Sequence, residues 1–141
     1  SGAVRGDGTS REYFPLEYPA VADFDTLEAL IAAAKERGVN PHVGIIRAHD
    51  SFYAESILAG GDYLVKDKPW IDSGVLSTEN ESSTLFTLAT VRKCRSGTIL
   101  IPVGHHLFPD EMISTEQLSD AIKLETLIAL DATVKLKQKF G

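Results

Sequence analysis

Apolar positions along the chain change their spacing several times, and each change marks a new element. The clearest helix carries Leu27, Leu30, Ile31 and Ala34 on one stripe, with Asp25 placed to cap it and Glu28 three residues later, the acidic variant of a capping box. Lys35 and Arg37 suit its negative end, and Gly38 is a ready left-handed stop. His42–Ala48 follows as a strand whose Val43-Gly44-Ile45-Ile46 run is of the continuous apolar kind found in buried parallel strands. Ala3–Arg5 reads as a short strand leading into the turn-rich Gly6-Asp7-Gly8-Thr9-Ser10, and residues 11–22, with two prolines and no regular period, read as a loop. A helical period returns from Asn80 to Arg92, with Leu85, Leu88, Ala89 and Arg92 on one side. Gly97 punctuates, and Thr98–Val103 reads as a second buried strand. Ser114 with Gln117 forms a capping box that opens a last helix over roughly 115–139, striped by Leu118, Ile122, Leu124, Leu127, Ile128 and Leu130. Residues 54–73, broken by Gly60-Gly61, Pro69 and alternating charges, read as a long surface excursion. Strands alternating with helices predict an α/β domain with a mostly parallel sheet.

The length of 141 residues fits one domain, residues 1–141, with a core large enough to fold without staples. Fourteen basic against twenty acidic residues give a net charge of −6, which argues against a nucleic-acid or anionic-membrane surface. The longest apolar runs, such as Ala29–Ala34, fall far short of the ~18 residues of a membrane span. A lone cysteine, Cys94, cannot form an internal disulfide and points to a reducing, cytoplasmic compartment. The opening Ser1-Gly2-Ala3-Val4 has no leader character and reads like the middle of a longer protein.

In open α/β sheets, ligands sit at the carboxyl ends of strands. The segments to search are therefore His49-Asp50-Ser51-Phe52-Tyr53, Ser77-Thr78-Glu79-Asn80-Glu81-Ser82 and Gly104-His105-His106, all polar where a plain core needs nothing polar. Glu79 and Glu81 flank the start of a helix, where they serve either as caps or as carboxylates for vicinal sugar hydroxyls. Phe52 and Tyr53 serve either core packing or the wall of a flat ligand's pocket. His105 and His106 are loop histidines, or proton donors to a leaving group. The histidines and acids are numerous, yet no HExxH or paired-cysteine spacing supports a metal site. Neither Gly6-Asp7-Gly8 nor Gly60-Gly61 completes a phosphate-loop motif.

At these same segments the chain resembles the uridine phosphorylase branch of the nucleoside phosphorylase family. Asp7-Gly8-Thr9-Ser10 and Pro15–Phe24 are close to that family's DGAS and PLEFPAVADF stretches, and His42-Val43-Gly44-Ile45 and Asp50-Ser51-Phe52-Tyr53 look like its HVGV and DTFY segments. Glu79-Asn80-Glu81-Ser82-Ser83-Thr84-Leu85 is similar to its EMESATL. The resemblance implies a three-layer αβα sandwich with a mixed, largely parallel central sheet, of which this chain is the C-terminal part.

It also implies a reaction: nucleoside plus phosphate gives free base plus ribose 1-phosphate, with inorganic phosphate as co-substrate and no further cofactor. By resemblance Glu81 holds the ribose hydroxyls with Glu79 in support. Asn80 stands where the family packs a methionine on the sugar, and Phe52 lines the base side. The family's uracil-reading glutamine and arginine are Ser56 and Leu58 here, neither able to make a bidentate polar contact, and His105-His106 replace its Asn-Arg as candidate stabilisers of the leaving base. Expected partners are nucleoside and phosphate, with a homo-oligomer or the family's N-terminal part, which carries the phosphate-binding residues. A nucleosidase using water, or a non-catalytic partial subunit, are the alternative readings.

Overall fold

The computed structural model describes residues 1–51, 63–104 and 109–141. They fall into two compact units, one formed by Ser1–Asp23 with His42–Gly97, the other by Phe24–Pro41 with Thr98–Gly141.

The first unit is built on a four-stranded sheet of order β2-β1-β3-β4, made from β1 (Gly2–Gly6), β2 (Ala20–Val21), β3 (Ile45–His49) and β4 (Thr78–Glu79). β1, β3 and β4 are parallel to their neighbours and β2 is antiparallel to β1, so the sheet is mixed and largely parallel, as the alternating pattern predicts. Register sets Ala20, Ala3 and Ile46 in one row and Arg5, Ala48 and Glu79 in the next row on that face. Ala20, Ile46 and Ala48 are buried together with Phe86 and Ala89 of α4 (Ser82–Val91), the helix that packs on β1, β2 and β3. Small alanines on the strands let the helix backbone come close. Gly6 at the carboxyl end of β1 meets a different need, the close approach of β3, because a Cβ there would lie 2.5 Å from the Ala48 carbonyl oxygen.

Residues 11–22 are not simply a loop. α1 (Thr9–Tyr13) turns directly after β1, and Ala20–Val21 returns to pair with β1. Elements this short carry no period of their own and are fixed by tertiary bonds. The chief one is Arg5, whose guanidinium donates to the Ser10 hydroxyl and to the carbonyls of Ser10, Phe14, Pro15 and Tyr18 over 2.5–3.1 Å. β3 starts at Ile45 and not at His42. Part of the expected excursion is α3 (Tyr63–Asp72), tied to β3 by Arg47, which sits 5.2 Å over the Trp70 ring and 3.5 Å from Asp67.

The expected side of α4 is corrected too. Ser82, Ser83, Phe86, Thr87 and Ala89 are buried, while Leu85 is 44% exposed. Short polar side chains fit the close approach to the sheet that leucine would obstruct.

The second unit pairs α2 (Phe24–Glu36) with α5 (Thr115–Phe140). Its core is Ala29, Ala33, Ala34, Ile128 and Ala132, with Leu30, Val39, Ile99, Leu124 and Leu136 packed around it. The helices are antiparallel: Lys139 near the end of α5 bonds Asp25 and Glu28 near the start of α2, while Asp131 and Lys135 meet Arg37 and Glu36 near its end. Asp25 therefore lies inside the first turn, bonded to Lys139, and is not the cap. Such exposed pairs contribute ~0–1 kcal/mol each and serve mainly to fix register.

The other local signals at the helix ends, Gly38 after α2 and Ser114 before α5, hold. Gly38 has φ +76°, and the Gly38 and Val39 N–H groups close a Schellman turn on Lys35 and Ala34. Ser114 and Gln117 make a reciprocal capping box. Thr98–Val103, expected as a strand, is not one. A strand needs a ladder, and Val103 instead accepts a turn bond from Ile113. Among the described residues, no helix is long and apolar enough to cross a membrane.

Candidate functional site

Because β1, β3 and β4 are parallel, their carboxyl ends, Gly6, His49 and Glu79, emerge at one edge of the sheet. Three polar turns begin there and are bonded to one another. The Asp50 carboxylate accepts the Gly8 N–H with both oxygens, at 3.0 and 2.9 Å, joining the turn after β3 to the turn after β1. The Asn80 side-chain amide donates to the His49 carbonyl, joining the turn after β4 to the end of β3.

The two glutamates divide their work. Glu79 Oε2 accepts the N–H groups of Glu81 and Ser82, both at 2.7 Å, and so caps α4 from the strand that precedes it. Its other oxygen, Oε1, is buried without a partner among the described residues. Glu81 occupies the N-cap position of α4 but makes no side-chain cap bond, and it is exposed. One acid therefore completes the helix while the other presents an unengaged carboxylate at the positive end of the α4 dipole, where negative charge is favoured.

Asp7 lies beneath this arrangement and is 1% exposed. Its carboxylate accepts the Ser10 N–H at 2.6 Å, the Ser10 hydroxyl at 3.1 Å, the Thr84 hydroxyl at 3.0 Å and the Ser83 hydroxyl. Burial by itself would push this carboxyl up; the bonds from Ser83, the Ser10 backbone, Thr84 and the Ser10 side chain together outweigh it and hold the group below the usual aspartate value. The consequence for stability has a definite sign. A carboxyl depressed on folding adds stability that is fully present above its unfolded pKa, ~3.9, and is lost as pH falls through the lower folded value. The difference in thermal midpoint between the unaltered chain and Asp7→Asn is therefore expected to be larger at pH 7 than in acid below ~3.9. A difference independent of pH would show that folding does not lower the Asp7 pKa.

Of the residues expected at the site, Glu79, Asn80 and Glu81 lie at this edge beside the end of β3. Phe52, Ser56, His105 and His106 lie outside the described residues, as do Tyr53 and Leu58. Asp7 and the role of Asp50 are additions. The rule that picked out the ends of the other strands applies equally to Gly6-Asp7-Gly8 after β1, and that was the available signal.

An α/β fold with polar turns collected at the carboxyl edge of a parallel sheet is the architecture of a small-molecule site. The chain belongs to the phosphorylase superfamily, whose family model matches residues 1–128. The uridine phosphorylase of Treponema pallidum (strain Nichols) is 37% identical over 109 residues, covering 74% of this chain and 42% of that protein. The guanosine phosphorylase of Halorubrum lacusprofundi is 41% identical over 105 residues, covering 74% of this chain and 41% of that protein. A solved structure described as the P knowlesi homolog of P falciparum PNP superposes with a TM-score of 0.72 at 30% identity, covering 94% of this chain and 52% of that one. The chain spans about two fifths of the length of these curated relatives.

Proposed function

We propose that this chain supplies the sugar-binding part of a nucleoside phosphorylase, as the C-terminal part of the family's domain. The reaction is cleavage of an N-glycosidic bond by phosphate, giving free base and ribose 1-phosphate. The observation that carries the reading is the exposed, unengaged Glu81 carboxylate at the start of α4, in a turn pinned by Glu79 and Asn80. A carboxylate there accepts hydrogen bonds from two vicinal ribose hydroxyls and fixes the ring while the bond to the base lengthens. In this role Glu79 and Asn80 hold the turn, Phe52 borders the base, Ser56 lies beside it, and His105 or His106 assists the departing base. Phosphate is the co-substrate and no other cofactor enters.

The names of its relatives, which include both uridine and guanosine phosphorylases, support the reaction type and leave the base open. A role in nucleoside salvage in the cytoplasm, as a homo-oligomer or joined to the family's N-terminal part, accords with this chemistry and with an exposed, free Cys94. A second reading, a non-catalytic or partial subunit of such an assembly, is favoured by Ser56 and Leu58 at the positions where the family reads uracil and by Asn80 at its methionine position.

Chromatography of reactions with uridine, thymidine and inosine, with and without phosphate, tests the proposal. Phosphate-dependent release of a base together with ribose 1-phosphate is expected. Release of free ribose independent of phosphate would make the protein a nucleosidase. No release from any nucleoside would leave the partial subunit.

A further inference from the structure

We propose that Asp7 is the positioning residue for Glu81, orienting its carboxylate toward the sugar by clamping the first turn of α4 onto the end of β1. This rests on the reading of Glu81 as the ribose-holding group. The Glu81 side chain makes no cap bond to α4 and no bond to another side chain among the described residues, so its direction depends on the backbone that carries it. That backbone is gripped from two sides. Glu79 takes the N–H groups of Glu81 and Ser82, while Asp7 takes the hydroxyls of Ser83 and Thr84 in the same turn.

Stability alone does not explain the second grip. α4 is already anchored by Phe86 and Ala89 against the sheet, and burying a carboxylate carries a desolvation cost that a hydrophobic contact would avoid. The charge is placed at the single turn that bears Glu81. Its two oxygens join that turn to Ser10 in α1, so the frame behind Glu81 includes the Gly6–Ser10 segment as well. Asp50 closes the frame by holding the Gly8 N–H. Serine and threonine hydroxyls rotate freely, whereas a fully ionised acceptor orients all of them at once.

A double-mutant cycle read by calorimetric titration with uridine at neutral pH tests this. Glu81→Gln weakens binding. Asp7→Asn is expected to weaken it roughly 10- to 100-fold, by analogy with the loss when a group that orients a metal ligand is removed. In the Glu81→Gln background, Asp7→Asn should then cost nothing further, because the group it orients is already disabled. An equal loss in both backgrounds, or no loss in either, overturns the inference and leaves Asp7 a structural residue only. If neither uridine nor inosine titrated in its place binds the unaltered chain, or the nucleoside that binds it binds Glu81→Gln equally well, the underlying site reading fails, and it does so before Asp7 is altered. If Asp7→Asn loses its helical circular dichroism, Thr84→Val removes one donor at nearly constant shape and must reproduce the same non-additive pattern with a smaller, few-fold loss. Additive behaviour of Thr84→Val contradicts the proposal.

Discussion

Replacing Glu81 by glutamine is expected to lower kcat/KM for phosphorolysis by roughly 100- to 1,000-fold while leaving the fold intact. Each hydrogen bond to a charged acceptor contributes about 1.5–3 kcal/mol, and two hydroxyls contacting one carboxylate give a combined effect of that order. Glutamine keeps the size and one acceptor but removes the charge that the α4 dipole supports. Stability should change by less than ~0.5 kcal/mol, as for other exposed positions without partners. The pairing of a large kinetic effect with an unchanged unfolding curve is the signature to look for. Wild-type kcat/KM in the folded variant would remove Glu81 from the site.

The largest stability effect is expected at Arg5. Its side chain is buried, and its donors satisfy four backbone carbonyls and one hydroxyl contributed by a stretch only nine residues long, Ser10–Tyr18. Arg5→Met keeps the aliphatic stem but removes every side-chain donor to the Phe14 and Tyr18 carbonyls and leaves those of Ser10 and Pro15 with one backbone N–H each, a carbonyl left bare costing about 1–3 kcal/mol where water cannot replace the bond. A net loss of about 3–5 kcal/mol follows, allowing for partial hydration of the outermost carbonyls. Urea unfolding measures it as a lower midpoint. Arg5→Lys should recover little, since three donors on one nitrogen cannot reach acceptors spread across a planar fork. A midpoint within error of the unaltered chain would mean that the Ser10–Tyr18 segment is held by something other than Arg5.

What was legible in the chain was local. The Gly38 stop and the Ser114–Gln117 box work within a few residues and survive in the structure, whereas the apolar stripes survive only in part: Leu30, Ala34, Leu124 and Ile128 reach the core, but Ile122, Leu127 and Leu130 of α5 are exposed and the alanines Ala29, Ala33 and Ala132 take the buried positions. What was not legible depends on distant neighbours. β2 is two residues long and exists only because β1 lies beside it. Thr98–Val103 has the composition of a strand without a ladder. In α4, Ser83 and Thr87 are buried while Leu85 is exposed, because the helix presses its small face on the sheet.

The site divides in the same way. The Glu79-Asn80-Glu81 segment could be found by its position after a strand, and the family resemblance pointed to it as well. The separate tasks of its two acids could not, since they depend on which one lies on the strand and which on the helix cap. Asp7 acts on Ser83 across 76 positions of sequence, a distance that no local pattern can carry.

The most direct test of the account is a crystal structure of the protein with ribose 1-phosphate bound. The sugar is expected at the carboxyl edge of β1, β3 and β4, with the Glu81 carboxylate ~2.5–2.9 Å from its vicinal hydroxyls and Glu79 still capping α4. A sugar bound elsewhere, or at that edge with Glu81 turned away into solvent, would contradict it.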